Sequence, residues 1–361
     1  MSDDATTDEP SHTEAPDWDD FIAQALDPDA CFLCGCAVDD DTRTREHVFP
    51  KWILNRHDIW NARMTLLNGS VIPYSQLTVT CCKACNGTHL SQLESEVATA
   101  FAGGPHEVRS LPEERLYLWL AKFYYGLVFR ELTLALDQRT DDGGTIVSDD
   151  ILRGYAVHHL LLRRILDKVT WNESPGSIFI FDALDSPDSA AAFDYFDAFD
   201  GPFVSIRSGP TFVAAFLQDF GVVPALGIES SPQISAARSV VLHPFQCIEL
   251  TAYFHTVLKL RERPPKFVIG KTGDQFNVMV LPQGGLSGRL PYADWDPELY
   301  AKVLSAHIRT RIGVELDVLH GTPSFLISSR GDPVQAPSVE WVPEVWDDLS
   351  VLQEAGENAT D

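Results

Sequence analysis

The chain has 361 residues, 45% of them hydrophobic, and a formal net charge of −25. That length accommodates two domains with a substantial core, and no apolar run is long enough for a transmembrane helix. The acidic start lacks the basic and then apolar pattern of a secretory leader, so a cytoplasmic location is expected; there, seven cysteines favour metal binding over a disulfide framework.

The acidity is concentrated at the ends. Residues 1–30 carry ten acids and residues 340–361 carry seven, in both cases without Lys or Arg, whereas residues 31–100 hold seven acids against six bases. Binding a polyanion calls for Lys and Arg, so the near-neutral middle is the segment best suited to nucleic acid. The division expected is a disordered acidic tail over 1–18, a first unit over 19–104, a larger domain over 111–340 and a second acidic tail over 341–361.

In chain order, Trp18 to Leu26 has apolar positions at helical spacing. Cys31-Phe-Leu-Cys34-Gly35-Cys36 forms a tight turn, with Gly35 supplying the backbone freedom. Glu46 to Phe49 reads as a strand stopped by Pro50, and a turn of helix fits Trp52 to Leu54. Met64–Leu67 and Ser70–Ile72 flank Asn68-Gly69, the favoured two-residue hairpin turn. Leu77 to Thr80 is a strand that delivers Cys82 and Cys85, and a helix follows after Asn86-Gly87 to about Phe101, with Ser91 and Glu94 at capping-box spacing. Gly103-Gly104-Pro105 closes the unit.

The larger domain opens with a helix from Pro112 through Arg130, apolar on most faces, and a second helix over Asp149–Lys168. Strands are expected at 177–181, 203–206, 212–216, 248–258, 267–269 and 276–281, and a last helix over Asp296–Ile312. The class is α+β, with an antiparallel sheet in the larger domain. Cys247 lies in an apolar run and reads as a small buried hydrophobe.

Two C-x-x-C pairs, Cys31/Cys34 and Cys82/Cys85, each present two sulfurs from one turn, and together they complete a tetrahedral zinc site. Cys36 and Cys81 are near enough in sequence to substitute as ligands. Between the pairs stand Glu46 and His47, and directly after the second pair stands Asn86. An imidazole can take a proton from water near neutral pH, and a carboxylate and an amide oxygen suit a hard divalent cation, Mg²⁺ or Mn²⁺. Neighbouring strand residues point to opposite faces, so Glu46 and His47 act together only where the strand ends, and Pro50 is placed to turn the chain there. An alternative zinc chemistry, nucleobase deamination, starts from H-x-E and P-C-x-x-C; His12-Thr13-Glu14 lies in the tail and no proline precedes Cys82, so it is rejected.

Cys31-x-x-Cys34, Glu46-His47-Val48-Phe49-Pro50-Lys51-Trp52 and Cys82-x-x-Cys85-Asn86, followed by Ser91-x-x-Glu94, together resemble the HNH endonucleases of the ββα-metal (His-Me finger) superfamily. The likeness covers about residues 28–100 and continues more weakly into Trp119-x-x-Lys122. It implies a zinc-stabilised, treble-clef-like ββα-metal fold that hydrolyses phosphodiester bonds in DNA, with RNA as the alternative substrate. His47 would be the general base, Glu46 and Asn86 the ligands of the catalytic cation, and the four cysteines the zinc ligands. A restriction or phage-defence setting follows by the same likeness. The family's mid-motif Asn is missing, which leaves Gln76 or Asn68 to orient the loop, and the acid is Glu where many relatives have Asp. Secondary candidates are His89 as a further ligand, Lys51 as a phosphate contact and Glu94 as a capping acid. Two basic clusters, Arg163-Arg164 with Lys168 and Lys259-Arg261-Arg263-Lys266, are candidate phosphate grips. The competing reading is a catalytically idle zinc-knuckle module that binds DNA or protein.

Overall fold

The structure is a computed structural model describing residues 21, 27, 29–132, 149–198, 200–285, 288–314 and 324–341. The tails expected at both ends lie outside these residues apart from Trp341, as does the Trp18–Leu26 helix apart from Phe21, which is buried. The architecture is α+β with antiparallel sheets, as expected. No helix among the described residues is long and apolar enough to cross a membrane.

In the first unit, β1 (Arg43–His47) is followed by α1 (Lys51–Arg56), the hairpin β2 (Arg63–Thr65) and β3 (Val71–Pro73), and β4 (Thr78–Cys82). Strands β1 and β4 pair antiparallel, with Arg43 opposite Cys82 and His47 opposite Thr78. A π-type turn over Cys85–Leu90 leads directly into α2 (Ser91–Gly103), followed by α3 (Pro105–Ser110). Asn68-Gly69 sits in the hairpin turn, and Gly69 has the positive φ, 77°, that favours glycine. The loop is nevertheless longer than the two residues expected. Leu66 is drawn into the core, and its N–H donates to Ser70 O at 2.8 Å, leaving residues 66–70 between the strands. The expected capping box at Ser91 and Glu94 is absent, because Ser91 continues the helical turn before it (φ −59°, ψ −40°) and leaves no helix start to cap.

Helix α4 (Glu113–Leu132) is buried on nearly every face between Leu116 and Phe129, which is why its sequence has no polar stripe. It is followed by α5 (Asp149–Leu162), which tightens into a 3₁₀ turn at Arg163–Leu166, and by β5 (Val169–Trp171). The strands β6 (Ser177–Asp182), β7 (Phe193–Asp197), β8 (Phe203–Ser208) and β9 (Thr211–Phe216) form one antiparallel sheet in the order β6-β9-β8-β7. Two short helices, α6 (Val222–Ala225) and α7 (Pro232–Ser239), precede α8 (Pro244–Lys259). The chain then forms β10 (Phe267–Thr272) and β11 (Gln275–Val280), to which β5 adds in parallel, and α9 (Pro297–Ile312), whose N-cap Asp296 accepts from Glu298 N and Leu299 N.

The expected strand at 248–258 is a helix, α8. Pro244 at its first turn and a capping box between His243 and Gln246 start it, and burial on almost every side removes the helical periodicity from the sequence. Strand β7 and helix α7 were not expected at all.

Alternation in the four-stranded sheet distributes its side chains to two cores. Val204, Ile206, Val213 and Ala215 join α4 and the first unit, while Phe203, Phe212, Ala214 and Phe216 pack with α8 and α9. Both faces are covered, so β8 and β9 are buried along their whole length. The first core is continuous from Cys31 to Leu217, across the boundary expected at 104–111. His57 adds a polar tie between the halves: Ser208 Oγ lies 2.8 Å from its Nε2, and its Nδ1 donates to Ser189 O at 3.0 Å.

Candidate active site and metal centre

The four thiols of Cys31, Cys34, Cys82 and Cys85 lie within 4.8 Å of one another. A tetrahedral Zn²⁺ with sulfur ligands at about 2.3 Å separates them by about 3.8 Å, so the donor set and its dimensions fit zinc. The backbone explains the convergence. Gly35 N–H closes the first turn onto Cys31 O at 2.7 Å, and Cys31 N–H donates to Cys36 O at 2.9 Å. Phe32 N–H donates to Thr80 O at 2.9 Å, tying that turn to the side of β4, which carries Cys82 at its end. Cys85 N–H points at Cys82 Sγ, 3.4 Å away, the donor a thiolate accepts in a metal knuckle.

Cys36 is exposed and lies outside the four-thiol set, although its thiol reaches Cys34, whereas Cys81 is buried with its Sγ 3.7 Å from that of Cys31. The crowded thiols perturb one another. Hydrogen bonds from Cys34, Cys81 and Cys85 hold the Cys31 thiol well below its ordinary range, and the bond to Cys31 is the main reason that Cys34 is pushed up to about 12. A bound dication stabilises all four thiolates at once. Cys247 is fully buried, and burial pushes its thiol up to about 12.

Beside this centre is a cleft of about 370 Å³. Glu46, His47, Lys51, Asn86 and Glu94 all line it, together with Arg45. Residues from a strand, two helices and the π-type turn therefore converge. His47 is the last residue of β1, and the chain leaves the ladder after it, which lets Glu46 and His47 reach one cleft despite their alternation. Asn86 Nδ2 donates to Thr44 Oγ1 at 3.0 Å and to Arg45 O at 3.3 Å. With the amide nitrogen turned to β1, its carbonyl oxygen is the end left for a cation.

Sequence reasoning reached Lys122 only as the end of a weak likeness and gave it no role in the site. Its ammonium, buried in α4, lies 2.5 Å from Glu46 Oε1 and 2.5 Å from Glu94 Oε1, and donates to His47 O at 2.8 Å. The Glu46 approach is an ion contact without hydrogen-bond alignment. Burial opposes the charge on Lys122, but the two carboxylates outweigh it and hold the group above its ordinary value. Burial likewise raises Glu46, against the pull of Lys122. His47 is held below its ordinary value by burial first, then by Lys51 and Lys122, so its imidazole is neutral at pH 7. The Trp60 ring lies 5.7 Å from it.

Other sequence candidates lie elsewhere. His89 and Gln76 are exposed and do not line the cleft, and Asn68 Oδ1 accepts from Ser70 N at 3.0 Å within its own turn. The loop carrying His47 is instead held by Lys122 and by Val48 N–H donating to Leu77 O at 3.0 Å. Arg163 lies over the Phe21 ring at 4.7 Å, Arg164 bonds Glu114 at 3.1 Å, and Lys259 pairs with Asp200; Arg263 and Lys266 are exposed.

Comparison with protein-family models, with curated proteins and with solved structures finds no match to this chain.

Proposed function

We propose that the protein is a metal-dependent endonuclease of the HNH type, hydrolysing phosphodiester bonds in DNA. The observation that carries this reading is the convergence of Glu46, His47, Asn86 and Lys51 on one cleft beside a four-thiol metal centre. In this reading His47 removes a proton from the attacking water, a role that its neutral state permits. The backbone bond from Lys122 fixes the imidazole's position, and Arg45 and Lys51 at the rim hold the phosphate without reading sequence. Asn86 through its carbonyl oxygen and Glu46 would hold a divalent cation, Mg²⁺ or Mn²⁺. Such a cation, when bound, polarises the phosphate and carries charge developing on the leaving oxygen. The inner carboxylates outnumber the Lys122 ammonium by one, which favours a cation at this place.

One observation favours the idle zinc-knuckle reading: the Lys122 ammonium already occupies Glu46 Oε1, a position that the family assigns to metal. Nicking of supercoiled plasmid by the full chain with Mg²⁺ or Mn²⁺ separates the two. The nuclease reading expects cleavage by the wild type and a loss of about 10²–10⁴-fold in His47→Ala. An inert wild type supports the idle module, and equal cleavage by both proteins removes His47 from the chemistry.

A further inference from the structure

A second cavity, of about 590 Å³ and open to solvent, is lined by β7, α8 and α9 and shares no residue with the first cleft. Its floor is apolar, with Phe196, Leu299, Val303 and Ala306, and its volume suits a small organic molecule.

The polar wall is a hydrogen-bond chain of fixed direction. Arg311 Nη1 lies 2.8 Å from His307 Nδ1, and a guanidinium can only donate, so that imidazole nitrogen accepts. The hydrogen of His307 is then on Nε2, which donates to His255 Nδ1 at 2.9 Å. His255 must therefore carry its own hydrogen on Nε2, which donates to Asp200 Oδ1 at 3.2 Å. All four ring nitrogens of the two imidazoles are thereby committed. Burial, reinforced by the Arg311 charge, depresses His307 far below its ordinary value, in keeping with that assignment. The carboxylate of Asp194 accepts from Arg311 Nε at 3.1 Å, and the other oxygen of Asp200 accepts from Lys259.

Charges in the wall thus cancel in two pairs, Arg311 with Asp194 and Lys259 with Asp200. Lys302 remains, lining the same cavity without an ion-pair partner among the described residues. In a chain of net charge −25, an apolar cavity with one surplus cation is selective for a single negative charge.

We propose that this cavity binds an amphipathic monoanion, an aliphatic or aromatic carboxylate, with its carboxylate at Lys302 and the outer face of Arg311 and its hydrocarbon over Phe196, Leu299 and Val303. A phosphate monoester fits less well, since its second charge meets no second cation and the imidazoles have no hydrogen to offer.

Calorimetric titration of the full chain with decanoate, decanol and decyl phosphate tests this, independently of any nuclease activity. Decanoate should bind at least about tenfold more tightly than decanol, the value of one charged hydrogen bond, and no less tightly than decyl phosphate. Lys302→Met, at an exposed position, should bring decanoate to within about threefold of decanol, and Ala306→Trp should weaken decanoate at least about tenfold by filling the cavity. Decanol binding as tightly as decanoate, decyl phosphate binding more tightly, absence of decanoate binding, or an Ala306→Trp protein with wild-type affinity would each overturn the proposal.

Discussion

At the scale of single residues, Lys122 matters most to the candidate site after His47. Its ammonium is buried against two carboxylates and a backbone carbonyl, so removing it leaves uncompensated negative charge in the interior. Breaking a buried pair in this way costs about 3–5 kcal/mol. Lys122→Met should therefore lower stability by that amount in urea denaturation. The triple variant that also carries Glu46→Gln and Glu94→Gln should recover much of the loss, because no charge is then left alone. Equal loss in both variants would show that the lysine acts through packing. Beyond the weak likeness at Trp119-x-x-Lys122 no local signal marks this role, since Lys122 is 28 residues from Glu94 and 75 from His47. In the sequence it reads as one charge in an apolar helix.

His47 gives the second residue-scale expectation. Its pKa is depressed below the ordinary 6.5 by burial, Lys51 and Lys122, and in the proposed role of general base it must be neutral to act. Activity should rise with pH through a value under 6.5 and be level by neutrality. Lys51→Met removes one of the depressing charges, so its acid limb should move to higher pH. A pH–rate profile of plasmid cleavage for both proteins measures this, and a shift to lower pH in the variant would contradict the electrostatic account.

Among elements, α4 sets the position of the strand end that carries His47. Gly126 lets the helix approach closely: a Cβ there would lie 3.2 and 3.3 Å from the two methyls of Val48, the residue after His47. Gly126→Val should cost about 1–3 kcal/mol through overpacking. Val48→Ala in the same chain should recover part of it, a coupling visible in a double-mutant cycle of denaturation midpoints. Strict additivity would mean that the contact is slack. Helix α9, with its Asp296 cap, and β4 were legible beforehand, whereas β1 (Arg43–His47) only overlaps the strand expected at Glu46–Phe49. Among elements buried on two sides, α4, β8 and β9 were legible as well, but α8 was not. Helix α8 reads as a strand because it has no polar face, and β7 escaped notice because Phe193, Tyr195 and Asp197 alternate with Asp194 and Phe196 without a clean apolar face.

For the whole molecule, the cysteine spacing was the most informative feature of the sequence, and the four thiols do meet. The division into two units was less faithful to the packing, since one core runs from the cysteine turns through α4 to the sheet. Long-range burial of that kind leaves no trace in a linear pattern. It also ties the candidate site to the larger domain, because Lys122 and Gly126 come from α4 while the cleft walls come from β1, α1, the π-type turn and α2. The common anchor is the four-thiol cluster, which joins the turn before β1 to the turn after β4. The most direct test of the account is the metal content of the full chain purified under reducing conditions. About one zinc per chain is expected, lost together with cleavage in the Cys31→Ser/Cys85→Ser double variant. A freshly prepared wild type without zinc, or a double variant that keeps it, would contradict the account.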